Sequence, residues 1–332
     1  IVAGRRRKKS GGRSYAWRYR GRIVACVFVE VIIICALVIM IGWNKGVKEW
    51  FEQFEQPVLK EVDISGINSP NAILMQARGG KILGEINGEA QIYPASMTKI
   101  MTVILGIENF DDLDEKITLT NEMFSGLYEQ DATQAGFQPG EEVRVIDLLY
   151  GAMLPSGAEC CIALADTISG SEADFAELMN KKAGKLGMEN THFCDSTGLH
   201  NPDHYSTVKD IAVLMKYCIK NDTFREIVET SRHSTGVTNI HPDGITYYST
   251  MFKNLSDPTV TGGKILGGKT GYTSEAGHCL VSFAEIEGRE YIFVSAGASG
   301  ADGNTIPHIQ DAVTVYNRVG AAIEEKMNDN NK

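Results

Sequence analysis

The run IVACVFVEVIIICALVIMIGW, Ile23 to Trp43, is 21 residues long and holds a single charge, Glu30. As a helix it would extend about 31 Å, which matches the ~30 Å hydrocarbon core of a bilayer. Helices in the core of a soluble domain seldom run so far without polar relief. The run therefore predicts one transmembrane helix, residues 23–43, with two bodies of opposite charge on either side. Residues 1–22 carry nine of the 32 Lys and Arg, RRRKK at Arg5–Lys9 among them, and no acid. From residue 44 onward the other 23 bases face 41 acids, a net of −18. The positive-inside bias keeps residues 1–22 as a basic cytoplasmic tail and sends the C-terminal body across the membrane. No small-residue cleavage site follows the run, so an uncleaved anchor is expected and not a removed signal peptide. Glu30 falls in the inner third of the span, where protonation, snorkelling or a partner helix would each accommodate it. The chain opens on Ile, so its natural start is expected upstream.

The acidic body excludes a nucleic-acid binder, because phosphate binding needs clustered cations. Cys26 and Cys35 lie in the span, which leaves Cys160, Cys161, Cys194, Cys218 and Cys279 beyond it. An odd number without regular spacing is neither a disulfide framework nor a zinc site, and these read as small apolar core residues. No metal and no cofactor is expected.

Residues 44–67 mix Trp50, Phe51 and Phe54 with acids and then Pro, Gly and Ser, and read as a stalk whose aromatics could rest at the lipid interface. AILMQA and KILGEI flank Arg78-Gly79-Gly80 as a strand pair. VIDLLYGAML, AECCIALADTIS, SEADFAELMNKKAGKLG and STVKDIAVLMKYCI read as successive helices. The last two open on Ser171 and Ser206 in near capping boxes with Asp174 and Asp210. GHCLVSFAEI and EYIFVSAGA form a second strand pair around Glu287-Gly288-Arg289, and a closing helix runs from about Pro307 to Lys326. The order predicts an α+β body at residues 68–326, an antiparallel sheet whose halves are separated in sequence by a helical lobe. A disordered tail is expected at 327–332.

Within this body, PASMTKIMTV sets Ser96 and Lys99 three residues apart at the mouth of an apolar helix, so the amine can reach the hydroxyl. An amine titrating near ~10.4 is no base at neutral pH unless desolvation or a neighbouring cation lowers that value. Apolar neighbours supply the first influence and a second lysine would supply the other. A serine at a helix N-terminus also offers its own backbone N–H to a developing oxyanion. By itself the pair is equally a capped helix with a surface lysine. Two further fragments change that. PSGAE, Pro155–Glu159, places a serine at a break between two helical patterns, and GGKTGYT, Gly267–Thr273, sets Lys and Thr beside glycines just before a strand.

In this order the three pieces resemble the penicillin-interacting serine enzymes, with their Ser-x-x-Lys, middle Ser and Lys-Thr-Gly motifs. The closer resemblance is to the low-molecular-weight D-alanyl-D-alanine carboxypeptidases, peptidase family S11. It is carried by YPASMTKIMT, MLPSGAE, LMNKKAGKLGMENTHFCDSTGL, YSTVKDIAVL and GGKTGYTSEAGHCLV, and runs from about residue 68 to 320. The resemblance implies a β-lactamase/transpeptidase-like fold and hydrolysis of peptidoglycan stem peptides ending in D-Ala-D-Ala. It also implies β-lactam antibiotics as covalent inhibitors and a single-pass protein of the bacterial cell membrane with its catalytic domain outside. Ser96 would be the acylated nucleophile, Lys99 its base, and Ser156 a proton relay to the departing D-alanine. Lys269 would hold the field positive near Lys99 and the substrate carboxylate, which Thr270 would bind. Gly271 lies in the same motif, and the backbone N–H groups of Ser96 and Tyr272 would form the oxyanion hole.

In one respect the sequence departs from the family. The middle motif usually ends in Asn where this chain has Ala158, so Glu159 or an ordered water is expected to take over its contacts, or else activity and penicillin sensitivity fall. Relatives often append a β-rich domain, for which too few residues follow Lys326, so anchoring is expected from the N-terminal span. A β-lactamase would share the fold, but no convincing Glu-x-x-Leu-Asn segment is present to direct a deacylating water. His200 and His204 in HNPDH are spaced like metal ligands, but Pro202 opposes the helix this needs, and both are expected in a loop near the cleft rim. A tethered penicillin-binding or sensory module without turnover is the remaining alternative, and Ala158 gives it standing.

Overall fold

The computed structural model describes residues 59–300 and 306–330. The span at 23–43, Glu30, most of the stalk and residues 331–332 lie outside the described residues. No helix among the described residues is long and apolar enough to cross a membrane.

Two sequence-distant strand groups build one sheet. β1 (Asn71–Gln76) and β2 (Ile82–Ile86) come early, and the rest come late. In between, β3 (Lys116–Thr118) pairs with β4 (Glu142–Arg144), and β5 (Arg232–Ser234) with β6 (Thr246–Tyr248), as small separate ladders. The later group is β7 (Thr259–Val260), β8 (Gly263–Thr273), β9 (Gly277–Ile286) and β10 (Arg289–Ala298). The six-stranded antiparallel order is β2-β1-β10-β9-β8-β7, so β1 closes against β10 across more than two hundred residues of chain. This is the α+β body expected from the sequence. GGKTGYT, however, does not precede a strand but forms the second half of β8, because full pairing with β9 outweighs the low strand propensity of its glycines.

Both faces of the sheet are covered. Strand alternation sends Ile73, Met75, Val281, Phe283, Ile292 and Val294 into one core and Ala72, Leu74, Leu280, Tyr291 and Phe293 into the other. The first core receives the helical lobe: α1 (Lys99–Asn109), α2 (Val145–Met153), α3 (Ala158–Ser169), α4 (Glu172–Leu186), α5 (Val208–Cys218) and α6 (Asp222–Glu229). α1 is buried from Lys99 through Gly106 and passes so close to α2 that a Cβ on Gly106 would stand 2.7 Å from Leu149 Cδ2. Ser171 caps α4 as expected, whereas α5 is capped by Thr207, whose hydroxyl accepts from Asp210 N–H at 3.0 Å, and not by Ser206.

The second core receives α8 (Pro307–Asn330), after the short α7 (Thr250–Asn254). Tyr316 of α8 is fully buried, and its hydroxyl lies 3.1 Å from Ser282 Oγ and accepts from Phe293 N–H. Asp311 accepts from the backbone and side chains of both Asn68 and Ser69. Leu59, Val62 and Ile64 are buried in the same core, so the folded body begins before the expected residue 68. Likewise α8 continues past Lys326 to Asn330, since no Gly or Pro stops it.

Candidate active site

Ser96 lies in a single 3₁₀ turn, Ala95–Thr98, that runs directly into α1. One turn along, Lys99 Nζ donates to Ser96 Oγ at 3.1 Å and to the Thr197 carbonyl at 2.6 Å. Lys99 is 3% exposed, so this is no surface lysine. Ser156 comes from the break between α2 and α3, where the backbone turns left-handed, φ +72°, and its hydroxyl donates to Ser96 Oγ at 2.9 Å. Lys269, 1% exposed on β8, donates to Ser156 Oγ at 3.0 Å and to the Thr270 carbonyl at 2.9 Å. Three segments far apart in sequence thus form one continuous polar chain, Lys99–Ser96–Ser156–Lys269. Burial, and then the neighbouring Lys99 charge, push Lys269 well below the ordinary lysine range.

β8 is paired along its length with β9, but on its other side only with the two residues of β7. The open edge at Gly267–Thr273 meets the Ser96 turn. A Cβ on Gly271 would stand 3.0 Å from Ser96 N and 3.1 Å from Ala95 Cβ, so glycine allows the strand to approach Ser96. Thr270 Oγ1 lies 2.6 Å from Thr250 Oγ1. Ser96, Ser156, Thr270, Gly271 and Tyr272 line one open cleft of about 400 Å³.

Glu159 does not take over the place left by Ala158. Its Oε1 accepts from the Ala135 and Gly136 backbone N–H groups at 2.6 and 2.9 Å, and α3 carries the side chain away from the hydroxyl pair. With Ala158 N–H donating to the Thr133 carbonyl, it fixes the strap whose Asp131 and Thr133 form the opposite cleft wall. Burial raises the Glu159 carboxyl above the usual range despite those N–H donors. Cys160 and Cys161 are fully buried, and burial pushes the Cys161 thiol up to about 12, which agrees with packing and not with redox chemistry.

The segment DSTGL, Asp195–Leu199, carries part of the family resemblance, but its contribution to the site is visible only in three dimensions. Asp195 Oδ1 accepts from Thr197 N–H, Thr197 Oγ1 and Gly198 N–H, all at 2.7 Å, which presents the Thr197 carbonyl to Lys99. Gly198, φ +79°, passes under Ala95, where a Cβ would fall 1.9 Å from its carbonyl oxygen. The run of Asp, Ser, Thr and Gly is a turn signal, but its partner is distant in sequence. His204 is not at the rim. It is 2% exposed, 3.1 Å from Asp195 Oδ2 and 2.9 Å from Thr98 Oγ1. Burial opposes ionisation of Asp195, yet the hydrogen bond and charge of His204 and the Thr197 donors hold its carboxyl at about 2. His200 does face outward, edge-on to Tyr93.

A family model described as D-alanyl-D-alanine carboxypeptidase, peptidase S11, matches residues 58–300. The chain belongs to this family. Relatives of the S11 chain include D-alanyl-D-alanine carboxypeptidase DacF of Bacillus subtilis, 35% identical over 231 residues, which are 69% of this chain and 57% of DacF. A D-alanyl-D-alanine carboxypeptidase of Streptomyces sp. K15 is 35% identical over 236 residues, 69% of this chain and 78% of that one. The chain spans under three fifths of the length of DacF and of Escherichia coli DacC. The crystal structure of the Streptomyces K15 DD-transpeptidase superposes with TM-score 0.69 at 30% identity, covering 79% of this chain and all of that one. A Mycobacterium tuberculosis D-alanyl-D-alanine carboxypeptidase, 22% identical with TM-score 0.70 over 80% of this chain and 96% of that one, shares the fold.

Proposed function

We propose that this S11 chain is a serine D,D-carboxypeptidase that removes the terminal D-alanine from peptidoglycan stem peptides, held to the bacterial membrane by residues 23–43 with residues 1–22 in the cytoplasm. The observation that carries the reading is the hydrogen-bonded chain from Lys99 through Ser96 and Ser156 to Lys269 in an open cleft. Ser96 Oγ attacks the carbonyl of the penultimate D-alanine while its proton passes to the Lys99 amine. The oxyanion is met by the backbone N–H groups of Ser96 and Tyr272, each worth about 10²- to 10³-fold in rate. The departing amine receives its proton through Ser156, the C–N bond breaks, and an ester to Ser96 remains for water to hydrolyse. Lys269 keeps the relay polarised, and Thr270 offers its hydroxyl to the substrate carboxylate. A β-lactam would acylate the same oxygen and lack a diffusible leaving group.

An ester of this kind can also pass to an amine, the reaction named for the K15 DD-transpeptidase. Water is favoured here as acceptor because DacF of Bacillus subtilis and DacC and DacD of Escherichia coli are all named carboxypeptidases. Mass spectrometry of muropeptides digested with the wild-type chain and with Ser96→Ala tests this. Loss of one alanine mass, dependent on Ser96, is expected. Cross-linked dimers, or no change, would refute it.

A further inference from the structure

Two histidines among the described residues are buried, in opposite surroundings. His308, in the first turn of α8, has no partner for its Nδ1, and burial and then the neighbouring His278 hold it down to about 4. His204 has both ring nitrogens engaged. Its Nδ1 lies 3.1 Å from Asp195 Oδ2, with Cys194 N–H 3.2 Å away, and its Nε2 lies 2.9 Å from Thr98 Oγ1. A carboxylate, an imidazole and a hydroxyl in that order have the layout of a nucleophilic triad. Thr98, however, is 0% exposed and is not among the described residues lining the catalytic cleft, so no substrate reaches its hydroxyl. The three side chains therefore act on the protein and not on a ligand.

What they act on is the turn that carries Ser96. Thr98 is the last residue of that turn, and the DSTGL segment grips the turn and α1 at three more points. Lys99 Nζ donates to the Thr197 carbonyl at 2.6 Å, Thr102 Oγ1 donates to the Ser196 carbonyl at 2.6 Å, and Gly198 passes under Ala95. Asp195 joins these contacts, because its Oδ1 takes the three donors that hold Thr197 and Gly198 while its Oδ2 faces His204. An amine that donates one N–H to a fixed carbonyl keeps its lone pair pointed elsewhere, and the Ser96 hydroxyl is 3.1 Å away. Proton transfer needs that alignment. We infer that Asp195 and His204 are positioning residues for the transfer of the Ser96 proton to Lys99. Asp195 fixes the carbonyl that orients the amine, and His204 ties the same segment to Thr98, so that hydroxyl and amine are held as one unit. This rests on the reading of Lys99 as the base for Ser96 and deepens it. Neither residue touches substrate, so the chemical step slows on their loss while binding does not change.

The test uses the full chain and a fluorescent penicillin, and separates the half-saturating concentration from the acylation rate constant at saturation, each referred to the fraction of chain finally labelled. Asp195→Ala is expected to lower the rate constant about 10²-fold, the effect of a misplacement of about 1 Å, with the half-saturating concentration within about twofold of wild type. His204→Leu should lower the rate constant about tenfold. His204→Gln, whose amide can donate to Asp195 and accept from Thr98, should restore most of it. If the Asp195 and His204 variants do not melt cooperatively, Thr98→Val, which deletes only the hydroxyl, decides through the same two constants, with a loss of about threefold or more expected in the rate constant. A wild-type rate constant in a folded variant, a loss confined to the half-saturating concentration or the labelled fraction, or a Gln variant as slow as Leu overturns the inference. Wild type that takes up no label refutes the Ser96–Lys99 reading itself, and the inference with it.

Discussion

Ser156 carries a hydroxyl of the Lys99–Ser96–Ser156–Lys269 hydrogen-bonded chain on a left-handed backbone, φ +72°, which an L-residue adopts at a cost of about 1–2 kcal/mol. Ser156→Ala and Ser156→Gly both delete the hydroxyl, but only glycine fits the backbone. The Gly variant should therefore be the more stable of the two by about 1 kcal/mol in thermal unfolding, with both impaired in turnover; equal melting would show that the backbone there is not strained. Glu159 supports the opposite wall. Glu159→Gln keeps the Oε1 acceptor for Ala135 and Gly136 and should stay within about 1 kcal/mol of wild type. Glu159→Ala strands two N–H donors and should lose about 2–4 kcal/mol by denaturant titration. Ser96 and Lys99 are legible in the sequence because one helical turn joins them. Neither Glu159's partners nor the left-handed Ser156 leaves such a trace, since Glu159 meets a strap that is distant in sequence and the turn at Ser156 carries no glycine to mark its positive φ.

Among the elements, the open edge of β8 is where sheet and helical lobe meet at Ser96. Gly271→Ala should push the Ser96 turn from the strand and lower β-lactam acylation about 10²-fold, with little change in melting temperature. Acylation at the wild-type rate would mean that the close approach of β8 to Ser96 N is not required. Helices α1 to α5, α8 and both hairpins follow from 3.6- and 2-residue periodicity, and their boundaries fall within a few residues of expectation, whereas α6, α7 and the short strands β3 to β7 are elements the sequence analysis does not place. β8 is harder to read because its glycines suppress strand propensity at the positions where Val228, Met251 and Ser96 press on the backbone. The DSTGL turn is local, but Lys99 meets its Thr197 carbonyl across 98 residues, a closure no periodic pattern encodes.

At the scale of the molecule, the order of the sheet forces two distant groups of strands to flank the lobe that bears Ser96 and Ser156, so site and fold stand or fall together. Their coupling should appear in acid. His308 titrates at about 4 in the folded chain against an ordinary 6.5, so the unfolded chain binds the extra proton and stability falls as pH drops from 6.5 toward 4, by about 3 kcal/mol. Asp195, held at about 2 against an ordinary 3.8, keeps its contribution until pH falls below that ordinary value and loses it toward 2. His308→Gln should flatten the upper phase of a pH-dependent unfolding curve and leave the lower one; an unaltered upper phase would contradict this assignment.

The proposed chemistry depends above all on Ser96 Oγ forming the covalent bond. Rapid acid quenching of the full chain during turnover of a D-Ala-D-Ala peptide, followed by tryptic mapping, reads this directly. The acyl mass is predicted on the fragment Ile82–Lys99, which contains Ser96, and is predicted to be absent in Ser96→Ala. Sustained D-alanine release with that fragment unlabelled, or with the label elsewhere, would contradict it.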